Sequence, residues 1–219
     1  MGSVISEKIL KDPLLGDVVF RKRKGLRRMS IRVHPVKGIT VTVPYIVPHA
    51  AAVAFFNLKR EWVRQVVAKQ KERYKDVPKA DAGQIEAMRK QAKAMLPARL
   101  KQLAERYGFL YNRVTIKHNS TNWGSCSAKG NINLNLNIVR LPGALQDYIL
   151  LHELCHLRHH DHGEAFHLLL EHVCTDNLLK LCDADDQTAR SLARAAAASK
   201  ARFPLDHVMT KSIKQYPLM

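Results

Sequence analysis

The pentapeptide His152-Glu153-Leu154-Cys155-His156 constrains the fold more than any other segment, because it places three polar side chains in a leucine-rich stretch. On an α-helix, residues four apart are offset by about 40° and about 6 Å along the axis, so both imidazoles can reach one ion. Glu153 lies about 100° from His152, where it can reach a water bound to that ion more easily than the ion itself. Burying this trio is costly unless its members are paired. The pattern therefore predicts an apolar helix with a zinc site, in which the carboxylate takes a proton from the water.

A third ligand must come from outside the pentapeptide, and seven of the 11 histidines lie between residues 152 and 172. His159 shares the helical face of His152, but it would lie about 10 Å further along a straight helix, so the two could not meet with His156 at one ion. The tripeptide Asp161-His162-Gly163 has the composition of a turn after a helix, from which a histidine can reach back. We therefore favour His162. The alternatives are His159, His167 and, less favoured, Glu171.

Charge is distributed unevenly along the 219 residues. Residues 1–118 hold 26 basic and 9 acidic side chains, whereas residues 119–219 hold 10 of each, so the whole net charge of +17 lies in the first part. The densest basic run comprises Arg21, Lys22, Arg23 and Lys24. Basic strands suit a polyanion such as nucleic acid, although a solvated sheet face is the simpler interpretation. Because aromatic residues make up only 6% of the chain, base stacking is poorly supported.

Hydrophobic periodicity separates strands from helices. Strands are predicted at 18–24, 27–33, 38–43, 114–117 and 132–138. Helices are predicted at 48–74, at 84–107 with a kink or break at Pro97, from Pro142 onward, and at 164–182. The sequence thus predicts an α+β protein, in which Asp183–Ala201 form a solvated helix or a loose tail. The predicted domains are a basic β-module with a helix at 1–75, a linker at 76–83, a core at 84–182 and a C-terminal extension at 183–219.

The sequence favours a cytoplasmic protein without membrane insertion. The longest stretch without Asp, Glu, Lys or Arg runs from Gly38 to Leu58, and prolines at 44 and 48 interrupt it. The N-terminus lacks the basic start and apolar run of a signal peptide. Four cysteines without a CxxC pair predict reduced thiols and not a disulfide scaffold.

Three segments together resemble the YgjP-like metallopeptidase family, a zincin group related to SprT-like proteins. Residues 122–132 contain Trp-Gly-Ser-Cys followed by Lys-Gly-Asn-Ile, and they resemble the family's WGSC segment and the strand after it. Residues 152–166 resemble its HExxH helix and third-histidine turn. Residues 27–44, with the helix that follows them, resemble its N-terminal module. The joint match covers roughly residues 18–182 and is far more specific than HExxH alone.

The resemblance implies a minimal zincin core, reached through the basic β-module and the long helices, that hydrolyses a peptide or protein substrate. It implies one zinc ion per chain, with Glu153 as the base. The implied ligands are His152, His156 and His162. Three departures from the family pattern occur. Asn122 replaces a frequent arginine, the turn reads Asp-His-Gly in place of Asn-His-Ser, and His167 replaces a bulky aromatic residue.

Substrate contacts are predicted at Asn122, Trp123 and Gly124, which precede a strand with alternating asparagines. We expect this strand to border the cleft and to hold an extended substrate through main-chain hydrogen bonds. A turn with a packing tryptophan is the simpler interpretation. Candidates for the oxyanion contact are Asn122 and Tyr148.

Two other functions fit parts of the sequence. A metal-dependent phosphohydrolase acting on nucleotides would use the basic half, although three imidazoles differ from the oxygen ligands that Mg²⁺ prefers. A protease associated with nucleic acid would be recruited through residues 1–118.

Overall fold

The chain has an α+β fold, and the computed structural model describes residues 4–34, 38–74 and 81–218. It divides into two compact units, Met1–Val77 and Pro78–Met219. The predicted linker at 76–83 lies mostly outside the described residues. The described part of the chain contains no helix whose length and hydropathy would allow it to cross a membrane.

Each unit contains its own small sheet. The first unit comprises β1 (Val4–Asp12), β2 (Gly16–Arg23), β3 (Ser30–His34), β4 (Gly38–Pro44), α1 (His49–Leu58) and α2 (Arg60–Tyr74). The second unit comprises α3 (Ala82–Tyr107), β5 (Arg113–Lys117), β6 (Gly124–Cys126), β7 (Asn131–Asn135), a 3-10 helix (Leu136–Arg140), α4 (Gly143–Cys155), α5 (Glu164–Asp183), α6 (Gln187–Ala197) and α7 (Pro204–Ile213).

The sheet of the first unit has the strand order β1-β2-β4-β3, with β2 and β4 parallel and the other pairs antiparallel. Alternation along the strands gives it one apolar face, as predicted. Val18 and Phe20 of β2 and Val41 of β4 are buried on that face, where they pack with Phe56 of α1 and Val63 of α2. The opposite face carries Arg21 and Arg23 together with the apolar Val19 and Ile9.

Local sequence signals explain the ends of α3 but not its middle. The Asp81 carboxylate accepts a hydrogen bond from the Gln84 backbone N–H at 2.7 Å, and the Gln84 amide accepts one from the Asp81 N–H at 3.1 Å, which forms a capping box. Gly108 ends the helix with a φ of +66°, a conformation that favours glycine. The helix continues through Pro97, so the break suggested there was wrong.

Polar side chains tie together the three helices that form most of the second unit's core. Arg99 of α3 donates two hydrogen bonds to the carboxylate of Asp147 on α4, at 2.7 and 2.5 Å. The Asn177 amide of α5 donates to the same carboxylate at 2.9 Å. Because Asp147 is buried, this network fixes the relative positions of α3, α4 and α5.

Of the two alternatives predicted for Asp183–Ala201, the structure has the helix, α6, and not the loose tail, but the helix is partly buried and not only solvated. Helices α6 and α7 pack against the core of the second unit through side chains that are all buried. These are Ala189, Leu192, Leu205, Met209 and Ile213. The prediction failed because the two helices are short and separated by the loop at residues 198–203, so neither shows a long periodic pattern.

Candidate metal centre

His152, His156 and His162 converge at the end of α4. One ring nitrogen of each lies within 4.8 Å of those of the other two. The Nε2 atoms of His152 and His162 are 3.2 Å apart, and the three ring centroids are separated by 4.7–5.2 Å. The structure thus brings together the three histidines predicted as ligands.

The chain turns sharply directly after the HExxH pentapeptide. Helix α4 ends at Cys155, and His156 occupies its C-cap position in a helical conformation. Residues 157–163 then form a loop that leads to α5 and carries His162 back toward His152. The helix therefore ends before Asp161-His162-Gly163, earlier than predicted. His159 lies beyond the helix and not on its face.

Phe166 and a main-chain carbonyl orient the three rings. Phe166 on the first turn of α5 is fully buried, stacks on His156 at 4.6 Å and meets His152 and His162 edge to face at 5.0 and 4.8 Å. The Nδ1 atom of His156 lies 3.1 Å from the carbonyl oxygen of His159. A proton on Nδ1 that is donated to this carbonyl leaves Nε2 with its lone pair, the arrangement found in metal-binding histidines. His159 therefore contributes its backbone, not its imidazole.

Burial favours the neutral form of two of the three rings, those of His152 and His156. Burial, reinforced by the neighbouring His156 and His162, lowers the pKa of His152 to about 4. Burial also lowers the pKa of His156, although its hydrogen bond with His159 opposes this. Neutral imidazoles offer lone pairs to a cation, so this donor set fits a metal such as zinc.

Glu153 is buried beside the centre with one unsatisfied oxygen. Its side chain projects toward β6, and its Oε2 atom has no hydrogen-bond partner. Burial raises the pKa of this carboxyl to about 8. A divalent cation held by the histidines would oppose that shift. An unpaired buried carboxylate is costly, which is consistent with a group kept for chemistry and not for stability.

Gly124 leaves the space that Glu153 occupies. A Cβ atom at position 124 would lie 2.5 Å from Oε1 of Glu153 and 2.7 Å from its Cγ and Cδ atoms. Glycine is therefore required by the close approach of β6 to α4. The sequence pattern singled out Gly124 as a substrate contact, whereas the geometry gives it a role in accommodating the glutamate.

Replacing Gly124 with alanine should displace Glu153 and destabilise the protein by about 1–3 kcal/mol, the usual cost of overpacking. We expect peptide cleavage to fall at least about tenfold, because the carboxylate leaves its position. Thermal unfolding and cleavage rates measure the two effects. Gly143→Ala is the control, since the nearest atom to its added Cβ would be 3.9 Å away. Equal activity of the two variants would contradict this role for Gly124.

The loop before β6 is held by asparagine side chains. The Asn135 amide donates to the carbonyl oxygens of Asn119 and Asn122 at 2.7 and 2.9 Å, and the Asn122 amide donates to the Gly124 carbonyl at 2.7 Å. Trp123 packs against the core of the second unit while remaining partly exposed. Asn135 was not singled out from the sequence, although its place among alternating asparagines was visible.

Of the remaining candidates, Tyr148 adjoins the centre, with its ring centroid 6.1 Å from that of His152. Glu171 uses both carboxylate oxygens to accept backbone N–H groups at the start of α7, and Tyr148 is buried with its hydroxyl directed to Asp206. Arg21, Lys22 and Arg23 lie on β2, whereas Lys24 lies in the turn that follows. Cys155 is buried and free, as predicted for a packed thiol.

Comparisons with known proteins find similarity over the part of the chain that contains this centre. A family model described as "YgjP-like, metallopeptidase domain" matches residues 74–179. The search of curated proteins finds no match. A matching solved structure is the crystal structure of the metallopeptidase zymogen of Pyrococcus abyssi abylysin, with 27% identity over 35% of this chain and 77% of that chain and a TM-score of 0.33. The family match confirms the resemblance over residues 74–179.

Proposed function

We propose that this chain, whose residues 74–179 form a YgjP-like metallopeptidase domain, is a zinc-dependent peptidase with Glu153 as its base. His152, His156 and His162 would hold the ion. One observation carries the proposal: three ring nitrogens converge at the end of a helix that also carries the buried Glu153, whose Oε2 is unsatisfied. A purely structural histidine cluster would not need that carboxylate.

The chemistry of the donors favours zinc over Mg²⁺ and Ca²⁺. Imidazole nitrogens suit zinc, whereas Mg²⁺ and Ca²⁺ prefer oxygen ligands. When bound, zinc polarises the scissile carbonyl and lowers the pKa of a water molecule. Three protein ligands are the number found in catalytic zinc sites, which keep one further position open.

Glu153 would move the proton during hydrolysis. Its carboxylate accepts a proton from the attacking water and passes it to the leaving amine. Its buried position beneath Gly124 restricts its conformations and keeps solvent away from Oε2. Burial also brings the carboxyl pKa closer to neutral pH, which helps a group that must both accept and release a proton.

An extended substrate would add to the sheet along β6. Ser125 pairs with Asn133 of β7, and hydrogen bonds to Trp123 and from Ser127 flank that pair. Because residues alternate in an antiparallel ladder, the main-chain groups of Gly124 and Cys126 face away from β7. The Gly124 N–H and the main-chain groups of Cys126 lie on the edge where a peptide strand can bind, next to Glu153, whereas the Gly124 carbonyl already accepts a hydrogen bond from the Asn122 amide.

Substrate profiling distinguishes peptidase from phosphohydrolase activity. Zinc-loaded protein is incubated with a random peptide library and, separately, with a panel of nucleoside triphosphates, and Glu153→Gln protein serves as the control. We expect peptide cleavage that depends on Glu153. Hydrolysis of nucleotides without peptide cleavage would overturn the proposal in favour of the phosphohydrolase alternative.

One observation favours a second role for the first unit in binding nucleic acid. The face of its sheet opposite the helices carries Arg21 and Arg23 of β2 and Arg32 of β3, and the threonines at 40 and 42 lie between them on β4. Arg21 is paired on this face with Glu7 of β1 at 2.6 Å. We propose that this surface, termed the arginine face, binds nucleic acid through phosphate groups. Lys22 does not belong to it, because alternation places its side chain on the other face, where its Nζ donates to the Tyr45 carbonyl at 3.4 Å.

The arginine face predicts salt-sensitive binding. We expect the full chain to bind duplex DNA with an affinity that falls about tenfold or more between 50 and 200 mM salt. Replacing Arg21, Arg23 and Arg32 with glutamine should weaken binding to every sequence alike, because phosphate contacts carry no base information. The matched control replaces three exposed lysines of the second unit with glutamine. These are Lys90, Lys93 and Lys129. Fluorescence anisotropy measures the affinities, and no binding at 50 mM salt would contradict this role.

A further inference from the structure

Helix α7 lies outside the family match, yet it contributes a carboxylate next to the histidine centre. The Asp206 carboxylate accepts a hydrogen bond from the hydroxyl of Tyr148 on α4. Its other oxygen lies 2.9 Å from Nδ1 of His167 on α5. One side chain from the C-terminal segment therefore joins the two helices that carry the predicted zinc ligands and their supporting phenylalanine.

The position of Asp206 is fixed by its surroundings. The Glu171 carboxylate accepts the backbone N–H groups of Leu205 and Asp206 at 2.8 and 3.0 Å, which anchors the first turn of α7 on α5. The Thr210 hydroxyl lies 3.1 Å from the hydroxyl of Tyr148. Leu205, itself buried, fixes the same turn from the apolar side.

Two contacts hold the ring of His167 at the border of the histidine centre. Its ring stacks on Phe203 at 5.1 Å with an interplanar angle of 21°, while Asp206 binds Nδ1. The ring centroid lies 6.3 Å from that of His162 and 5.5 Å from that of Phe166. The side chain remains 27% exposed, so it lies both beside the predicted ligands and within reach of a molecule from solvent.

We propose that Asp206 holds His167 as a substrate-contacting residue of the metallopeptidase centre, an inference that rests on the proposed function. In the neutral ring, Nδ1–H donates to the carboxylate, so Nε2 keeps its lone pair on the opposite side of the ring. Nε2 accepts a hydrogen bond from a main-chain N–H of the bound peptide. Asp206 is the positioning residue, because it acts only through His167.

Kinetics of single and double variants test this arrangement on one peptide that the wild-type protein cleaves. His167→Ala should lower kcat/KM by about 10–100-fold, the effect of losing a substrate hydrogen bond. Asp206→Asn should cause a similar loss, because its amide N–H donates to Nδ1 and the ring proton then moves to Nε2. The double variant should lose no more than either single variant, since one contact is lost in all three.

A conservative variant separates positioning from general damage to the site. His167→Gln places an amide oxygen near the position of Nε2, so it should retain most of the wild-type kcat/KM. Adding Asp206→Asn to this variant should have no further effect. His172→Ala is the control, because His172 is an exposed residue of the same helix. Thermal unfolding of each variant verifies the fold.

A second readout does not depend on activity. Two-dimensional ¹H–¹⁵N NMR of ring nitrogens in the metal-free protein should show the His167 proton on Nδ1 in the wild type and on Nε2 in Asp206→Asn. A proton on Nε2 of His167 in the wild-type protein would overturn the inference. It would also be overturned if the wild-type protein cleaves the peptide and His167→Ala changes kcat/KM by less than twofold. A wild-type protein that cleaves no peptide would instead overturn the proposed function, and the inference with it.

Discussion

Glu153→Gln protein should retain its fold and its zinc but lose peptide cleavage by about 10²–10⁴-fold, the usual contribution of a general base. Glutamine has nearly the same shape, so it fits the space beneath Gly124, but its amide cannot accept the proton of the attacking water. Cleavage rates and zinc content of the purified variant test both halves of this expectation. Full activity in a zinc-loaded variant would remove Glu153 from the mechanism.

Stability of the metal-free protein provides an independent check on the same residue. Burial raises the pKa of Glu153 from 4.5 to about 8, so the folded state binds a proton that the unfolded state releases between these pH values. The unfolding free energy of the wild type should therefore fall, relative to Glu153→Gln, as pH rises from 4.5 to 8. Parallel stability curves for the two proteins across this range would show that the carboxyl is not buried as described.

His156→Ala protein should lose the metal, and cleavage should become undetectable. Two remaining imidazoles bind zinc far more weakly than three, and even loss of an outer contact typically weakens metal binding 10–100-fold. Metal analysis after dialysis should give close to one zinc per wild-type chain and almost none in the variant. Removal of the ring also exposes one face of Phe166, so thermal unfolding must confirm that the variant is folded.

His159→Ala is the matched control for this loss. The structure uses the main-chain carbonyl of His159, which alanine retains, as the partner of Nδ1 of His156. The variant should therefore bind zinc and cleave peptide like the wild type. Loss of zinc in His159→Ala would contradict the arrangement, because it would indicate that the His159 imidazole itself binds the ion.

Local patterns in the sequence were sufficient to predict much of the second unit. The HExxH spacing and the turn at His162 lie in one short segment, so a local pattern was enough to predict the ligands. His152, His156 and His162 do converge. The alternation of Ile132 and Leu134 with asparagines predicted β7, although the strand ends at Asn135, where the chain enters a 3-10 helix. Asn135 itself starts that helix by accepting a hydrogen bond from the Asn137 N–H.

Features that depend on distant parts of the chain were not predicted. Asp206 meets Tyr148 and His167 across separations of 58 and 39 residues, which no local pattern encodes. Helix α3 continues through Pro97 although proline usually costs about 3 kcal/mol or more inside a helix. Buried Leu96 and Leu100 on either side of the proline provide the tertiary packing that outweighs this cost.

Strand β1 and the break between α1 and α2 were also missed. Most residues of β1 are exposed, so the strand lacks the alternation between buried and exposed positions that reveals a strand in sequence. The single helix predicted over residues 48–74 is instead two helices, α1 and α2, which are separated at Lys59. The Arg60 guanidinium that opens α2 lies 2.9 Å from the carboxylate of Asp12, a contact between residues 48 positions apart.

A crystal structure of zinc-loaded protein, with anomalous diffraction collected at the zinc edge, tests the central claim most directly. We expect one zinc ion about 2.0–2.1 Å from a ring nitrogen of each of His152, His156 and His162. Glu171 should remain at the first turn of α7, where it accepts the N–H groups of Leu205 and Asp206. An ion bound by Glu171 or by the His159 imidazole, with His162 turned away, would contradict the proposed metal centre.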